Sequence, residues 1–336
     1  IRLDPKHDGV HNLRGVAFYQ QGELHSAIRE FTEAIQINPN SSEYYLNRGN
    51  TKKDIQDLPG AFEDLSKAIQ INPQNEDALV LRGIIRHEQR DFDNAIIDYD
   101  EAIRLNPTNG RNYNNRGHSK LEKGLYQAAI QDLNLAIQYQ PQFFISYQHR
   151  GVCYYKLAQY DNAIQDFSQT IALNPEYLDS YNLRGIIYIE RKEWEAALKD
   201  FDEAIRKRPG SAEFHNNRAV VKYSKGDLAG AIQDYETARK LNPNDPALLF
   251  NMALAYHQFG KLDQSIECFE AKIKLGGDKE DIRCFLEVLW KRIEQRLQKN
   301  QKTEAKQDLL HFQKTAPPDH PKLKEVQQLL KQLDGK

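Results

Sequence analysis

The chain has 336 residues, 40% of them hydrophobic and 28% charged, with a formal net charge of −2. That near balance of signs excludes a general nucleic-acid binder, which needs a basic excess to neutralise phosphates. Three cysteines, Cys153, Cys268 and Cys284, make no disulfide framework, and no apolar run approaches the ~20 residues of a membrane span.

An internal period sets the order in which the chain is read. Pro5, Pro39, Pro73, Pro107, Pro141, Pro175, Pro209 and Pro243 follow one another every 34 residues. Internal repetition of this length predicts a solenoid, in which each module closes its core only against its neighbours. Each unit is numbered 1 to 34 with its proline at 32, so the first unit begins at Asp8. Residues 1–7 then match the end of a unit, as at 103–109. The expectation is that the chain starts in the last turn of a truncated repeat, with at least one more upstream and an open N-terminal end free to self-associate.

Eight units are expected over 8–277, approximately 8–41, 42–75, 76–109, 110–143, 144–177, 178–211, 212–245 and 246–279. Position 8 is small: Gly15, Gly49, Gly83, Gly117, Gly151, Gly185, Ala219 and Ala253. Position 20 is alanine in seven units and Ser265 in the eighth. Position 24 is large, from Phe31 and Leu65 to Tyr235 and Phe269. Positions 20, 24 and 27 lie on one face of a helix, and the small residues allow a second, antiparallel helix to approach closely. The residue before each proline avoids the helical region, which ends helix B. Ser41, Asn75, Asn109, Ser211 and Asp245 stand where an N-cap for the next helix A is needed. Gly22, Gly124, Gly226 and Gly260 fall in the turn between A and B. Past the eighth unit the proline is lost. Residues 279–334 are expected to form a degenerate ninth repeat and C-terminal capping helices, with Phe285, Leu289 and Ile293 on one face and Ala305, Leu309 and Phe312 on another.

Asn115-Arg116-Gly117, Ala129-Ile130 and Asn106-Pro107 carry the clearest resemblance. The pattern resembles the tetratricopeptide repeat (TPR), in the subtype N-R-G…A-I-x-D-F…N-P. The resemblance implies an all-α, right-handed α-solenoid of antiparallel helix pairs. It implies a scaffold that binds another protein or an extended peptide in the concave groove lined by the A helices. A non-catalytic targeting arm of a larger enzyme and a self-assembling structural protein are the alternatives. No enzyme motif is present: no phosphate loop, no H-E-x-x-H, no C-x-x-C and no G-x-S-x-G. No catalytic residue, cofactor or metal, no nucleic-acid partner and no direct membrane insertion is expected, and a cytoplasmic location is.

Two sets of polar residues stand out. Position 7 carries Arg14, Arg48, Arg82, Arg116, Arg150, Arg184 and Arg218. Position 23 carries Glu30, Asp64, Asp98, Asp132, Asp166, Asp200 and Asp234. Both are lost together in unit eight, at Met252 and Cys268. They read as an ion-pair ladder locking helix A to helix B or to the next unit; the alternative is a row of arginines facing an anionic ligand. The second set follows from the resemblance, which places positions 2, 5, 6, 9, 12 and 13 in the groove. There stand Asn47, Asn50, Asn114, Asn115, Asn182, Asn216, Asn217 and Asn251, with His118, Tyr155 and Tyr223. Amides donate and accept, so such a row suits a peptide backbone; the alternative is merely solvated groove residues. A chaperone-tail carboxylate clamp is disfavoured, because no unit has a basic residue at position 5.

Overall fold

The computed structural model describes residues 7–335, so the truncated repeat expected over 1–7 lies almost wholly outside the described residues. Among these there are helices and no strands. The chain divides into two compact halves, one ending at Tyr177 and the other beginning at Leu178. The N-terminal half holds α1 (Asp8–Gln20), α2 (Leu24–Ile37), α3 (Ser42–Asp54), α4 (Leu58–Ile71), α5 (Glu76–Glu88), α6 (Phe92–Leu105), α7 (Gly110–Glu122), α8 (Tyr126–Tyr139), α9 (Phe144–Lys156) and α10 (Tyr160–Leu173). The C-terminal half holds α11 (Leu178–Glu190), α12 (Trp194–Lys207), α13 (Ala212–Ser224), α14 (Leu228–Leu241), α15 (Pro246–Phe259), α16 (Leu262–Lys274), α17 (Lys279–Gln298), α18 (Lys302–Thr315) and α19 (Leu323–Leu333). The fold is an all-α solenoid of helix pairs, the odd-numbered helices through α15 being the A helices.

Each pair closes where position 8 meets position 24. A Cβ on Gly83 would stand 2.6 Å from the Tyr99 ring, and one on Gly185 2.7 Å from Phe201. Both rings are fully buried, so glycine is what brings the helices together. The three-residue A–B turn has its own requirement. Position 15 is left-handed in every unit: Gly22, Gly124, Gly226 and Gly260, but also Gln56, Arg90, Ala158 and Lys192. The turn geometry therefore prevails over the steric preference of the side chain. Of the expected A-helix caps, Asn75, Asn109 and Asp245 accept backbone N–H groups in the first turn. Ser41 and Ser211 make no such bond. Asp57, Asp91 and Asp227 cap B helices in the same way.

The position 7 arginines and position 23 acids meet within each repeat. Arg116 donates from Nε at 2.9 Å and from Nη2 at 2.6 Å to the two oxygens of Asp132. Arg48–Asp64, Arg82–Asp98, Arg150–Asp166, Arg184–Asp200 and Arg218–Asp234 repeat this fork, and Arg14 bonds Glu30. The remaining Nη1 reaches back to position 25 of the preceding repeat: Arg116 to Asp100, Arg150 to Asn134, Arg218 to Asp202, and Arg48 to Thr32. One guanidinium thus ties helix A to its own helix B and to the repeat before. The acid often has a second cation at position 11, as Lys52, Arg86, Lys120 and Lys222 show.

The C-terminal helices continue the design in a shifted register. Arg292 forks onto Asp308 at 2.9 and 2.6 Å, and Arg296 adds the second cation at 2.8 Å. Asn300 takes the left-handed turn position. Leu309, Phe312 and Val326 of α18 and α19 join the same buried cluster as Phe269, Phe285 and Leu289. The first turn of α17 is fixed by a capping box between Asp278 and Asp281.

Candidate functional site

Successive A helices are joined by a simple lattice of side-chain bonds. Asn12 and Tyr19 in α1 and Asn182 in α11 each meet the residues 31 and 35 further on. These two are four apart, hence on one face of the next A helix. Asn12 donates to Glu43 at 2.8 Å and accepts from Asn47 at 2.9 Å. Asn182 repeats the arrangement, donating to Glu213 at 2.6 Å and accepting from Asn217 at 2.9 Å. The Tyr19 hydroxyl donates to Asp54 at 2.6 Å and accepts from Asn50 at 3.2 Å. Asn114 is buried, and its Oδ1 accepts from Ser146 at 3.1 Å and lies 3.1 Å from His149 Nδ1.

These bonds show where the asparagines at positions 5 and 6 stand. Asn47, Asn114, Asn182 and Asn217 join adjacent A helices. Asn115 accepts a long bond from Asn114, and Asn217 one from Asn216. Asn216 Oδ1 is buried without a partner in the protein. Asn251 lines a cavity with Phe250, Lys272 and Asp281. Tyr155 lies against Lys156, and Tyr223 packs on the C-terminal core. The set is therefore not one continuous ladder of amides.

His118 belongs to a column that the sequence reading does not single out. His87, His118 and His149 stack across α5, α7 and α9, with centroids 4.4 and 4.0 Å apart. Their 31-residue spacing is the signal that the lattice makes readable. His87 Nδ1 is 2.8 Å from the Ser119 hydroxyl. Burial lowers the pKa of all three. His118 falls to about 4 and His149 to about 3, the neighbouring imidazoles adding to the effect of burial. The column is thus held neutral.

Open space on this face lies further toward the N-terminus. One cavity of about 290 Å³ between α1 and α3 is lined by Val16, Tyr19, Phe31 and Thr51, with Asn47 and Asn50. A second, about 310 Å³, between α3 and α5 is lined by Leu46, Asp77, Val80 and Leu81, again with Asn47 and Asn50. The two adjoin through those shared asparagines. Both combine apolar side chains with the two amides, and the second has one carboxylate, Asp77, at its edge, a mixture suited to recognition. Among the described residues no His, Cys, Asp and Glu cluster is arranged to hold a metal ion, and no helix is long and apolar enough to cross a membrane.

Comparison with known proteins agrees with this architecture. Family models described as TPR repeat match residues 15–56, 185–226 and 221–260. Models described as tetratricopeptide repeat match 145–177, 46–110, 110–143 and 246–275. A search of curated proteins finds no match. Among solved structures, the chain is similar to a tetratricopeptide repeat protein from Parabacteroides merdae, with 18% identity and a TM-score of 0.56 over 74% of this chain and 98% of that one. It is also similar to pilF of Pseudomonas aeruginosa, with 19% identity and a TM-score of 0.55 over 66% and 96% of the two chains. At these identities the likeness is one of fold. The family models together cover most of the sequence, and the chain belongs to the tetratricopeptide-repeat family.

Proposed function

We propose that this protein is a non-catalytic interaction scaffold whose A-helix face, over α1, α3 and α5, binds an extended segment of a partner protein. The observation that carries the reading is the pair of adjoining cavities that share Asn47 and Asn50. Neighbouring helix axes lie about 10 Å apart, and an extended chain advances ~3.3 Å per residue. One segment crossing the helices can therefore seat side chains in both cavities. Asn50 donates to Tyr19, and its Oδ1 accepts no bond among the described residues, which leaves a carbonyl to receive a backbone N–H between the cavities. Asn115, His118 and Tyr155 extend the candidate surface within the same half.

The test is selection of a random 12-residue peptide library displayed on phage against the full chain. Asn50→Trp, which fills the rim common to both cavities, serves as the blocked form. The expected result is a set of peptides retained by the wild type and released by Asn50→Trp at an unchanged melting temperature. Peptides retained equally by both proteins place binding elsewhere and defeat the reading.

A further inference from the structure

The two cavities differ in charge. The one between α1 and α3 has no ionised side chain in its lining. The one between α3 and α5 has a floor of Leu46, Val80 and Leu81 and a single carboxylate, Asp77, at its edge. Asp77 is exposed, in the first turn of α5, with no ion-pair partner among the described residues. The surrounding face has the same sign. At positions 2, 5, 6, 9, 12 and 13 of α1, α3 and α5 the charged residues are Glu43, Lys53, Asp54, Asp77 and Glu88. Lys53 is already paired, 2.9 Å from Asp54. The corresponding positions of α7 and α9 hold Arg111, Lys156 and Glu122, so the acidic excess coincides with the cavities.

We propose that the cavity between α3 and α5 receives a lysine or arginine side chain of the bound segment, with its methylenes on Leu46, Val80 and Leu81 and its cation at Asp77. Long basic side chains lay an apolar stem on apolar surface while the charged head stays near water, and this lining supplies both surfaces. The uncharged cavity beside it, floored by Val16 and Phe31, takes an apolar residue. With helix axes about 10 Å apart and ~3.3 Å per extended residue, the two side chains fall about three positions apart. The partner sequence is then an extended stretch with an apolar and a basic residue at that interval. The inference rests on binding at the A-helix face and specifies its chemistry.

The experiment repeats the peptide selection with full-length wild type, Asp77→Asn and Asp77→Lys. Wild type is expected to enrich a lysine or arginine about three residues from an apolar position. Asp77→Lys is expected to replace that basic residue with aspartate or glutamate, and Asp77→Asn to lose the preference. For one synthetic selected peptide, exchanging its lysine for norleucine should weaken binding to wild type about fivefold at low salt and leave binding to Asp77→Asn unchanged. Peptides that Asn50→Trp releases but that share one uncharged consensus across all three Asp77 forms would overturn the basic pocket alone. Peptides indifferent to Asn50→Trp would overturn the binding face and the pocket together. Asp77 is exposed at a helix start, so its variants keep the fold, which circular dichroism verifies.

Discussion

Removing the carboxylate of Asp132 is the sharpest probe of what locks the two helices of a repeat together. The Asp132 side chain is 5% exposed and that of Arg116 17%. It accepts two bonds from Arg116 and one from Lys120 at 2.8 Å. Asp132→Ala leaves both cations without it. Lys120 can turn to solvent, and Arg116 keeps Asp100, whose side chain is 53% exposed. Breaking a buried pair costs about 3–5 kcal/mol, and the retained Asp100 contact argues for the lower end, about 3. In a solenoid this loss is local, so the assay is hydrogen exchange read by mass spectrometry, not a single melting point. Amides of α7 and α8 should exchange on the order of 100-fold faster, while α1 and α2 stay unchanged. The partnered removal Arg116→Met with Asp132→Leu discriminates between stabilising the fold and merely tolerating the charges. It leaves no stranded charge and should restore exchange to within about 1 kcal/mol of wild type. Exchange in Asp132→Ala equal to wild type would refute the reasoning, and so would a double variant as labile as the single.

The histidine column predicts acid lability. Its pKa values in the fold lie below the ordinary 6.5, His118 at about 4 and His149 at about 3, so the unfolded chain binds protons first as pH falls. Stability is therefore lost from about pH 6.5 downward, at no more than about 1.4 kcal/mol per pH unit for each histidine, with solvent access to His118 reducing its share. Urea melts between pH 7 and 4.5 should show a flatter decline for His118→Gln than for wild type; parallel curves would contradict this. At the helix crossing, Gly83→Ala adds a Cβ 2.6 Å from Tyr99. It should cost about 1–3 kcal/mol by overpacking, where an unopposed change would gain about 1. At the turn, Ala158 stands at φ 56°, so Ala158→Gly should stabilise by about 1 kcal/mol. A melting midpoint for Ala158→Gly at or below wild type would show that the turn is not strained.

The helix pairs and their crossings were legible because they depend on period alone. Proline every 34 residues, glycine at 8 and a large residue at 24 leave one way to pack two helices. The arginine–acid pairing was legible from covariation along the chain, Met252 and Cys268 replacing both partners together. Its reach back to position 25 was not, since Thr32, Ser66, Asp100 and Asn134 differ in type and share only the capacity to accept a bond. Arg292 and Asp308 were hidden by the longer α17, which shifts the register although the 16-residue spacing within the pair survives. On the A-helix face, residue type alone did not separate Asn50, which edges two cavities, from Asn114, which is buried between helices. That separation depends on the neighbours 31 to 35 residues further on. Two asparagines at groove positions differ only in what the next repeat places opposite them.

The most direct test of the central claim is hydrogen exchange of the full chain with and without a saturating selected peptide. Binding across the two cavities predicts slower exchange confined to α1, α3 and α5, and no such protection in Asn50→Trp. Protection that falls instead on B helices, or on the C-terminal half alone, would contradict the assignment of the A-helix face as the site of recognition.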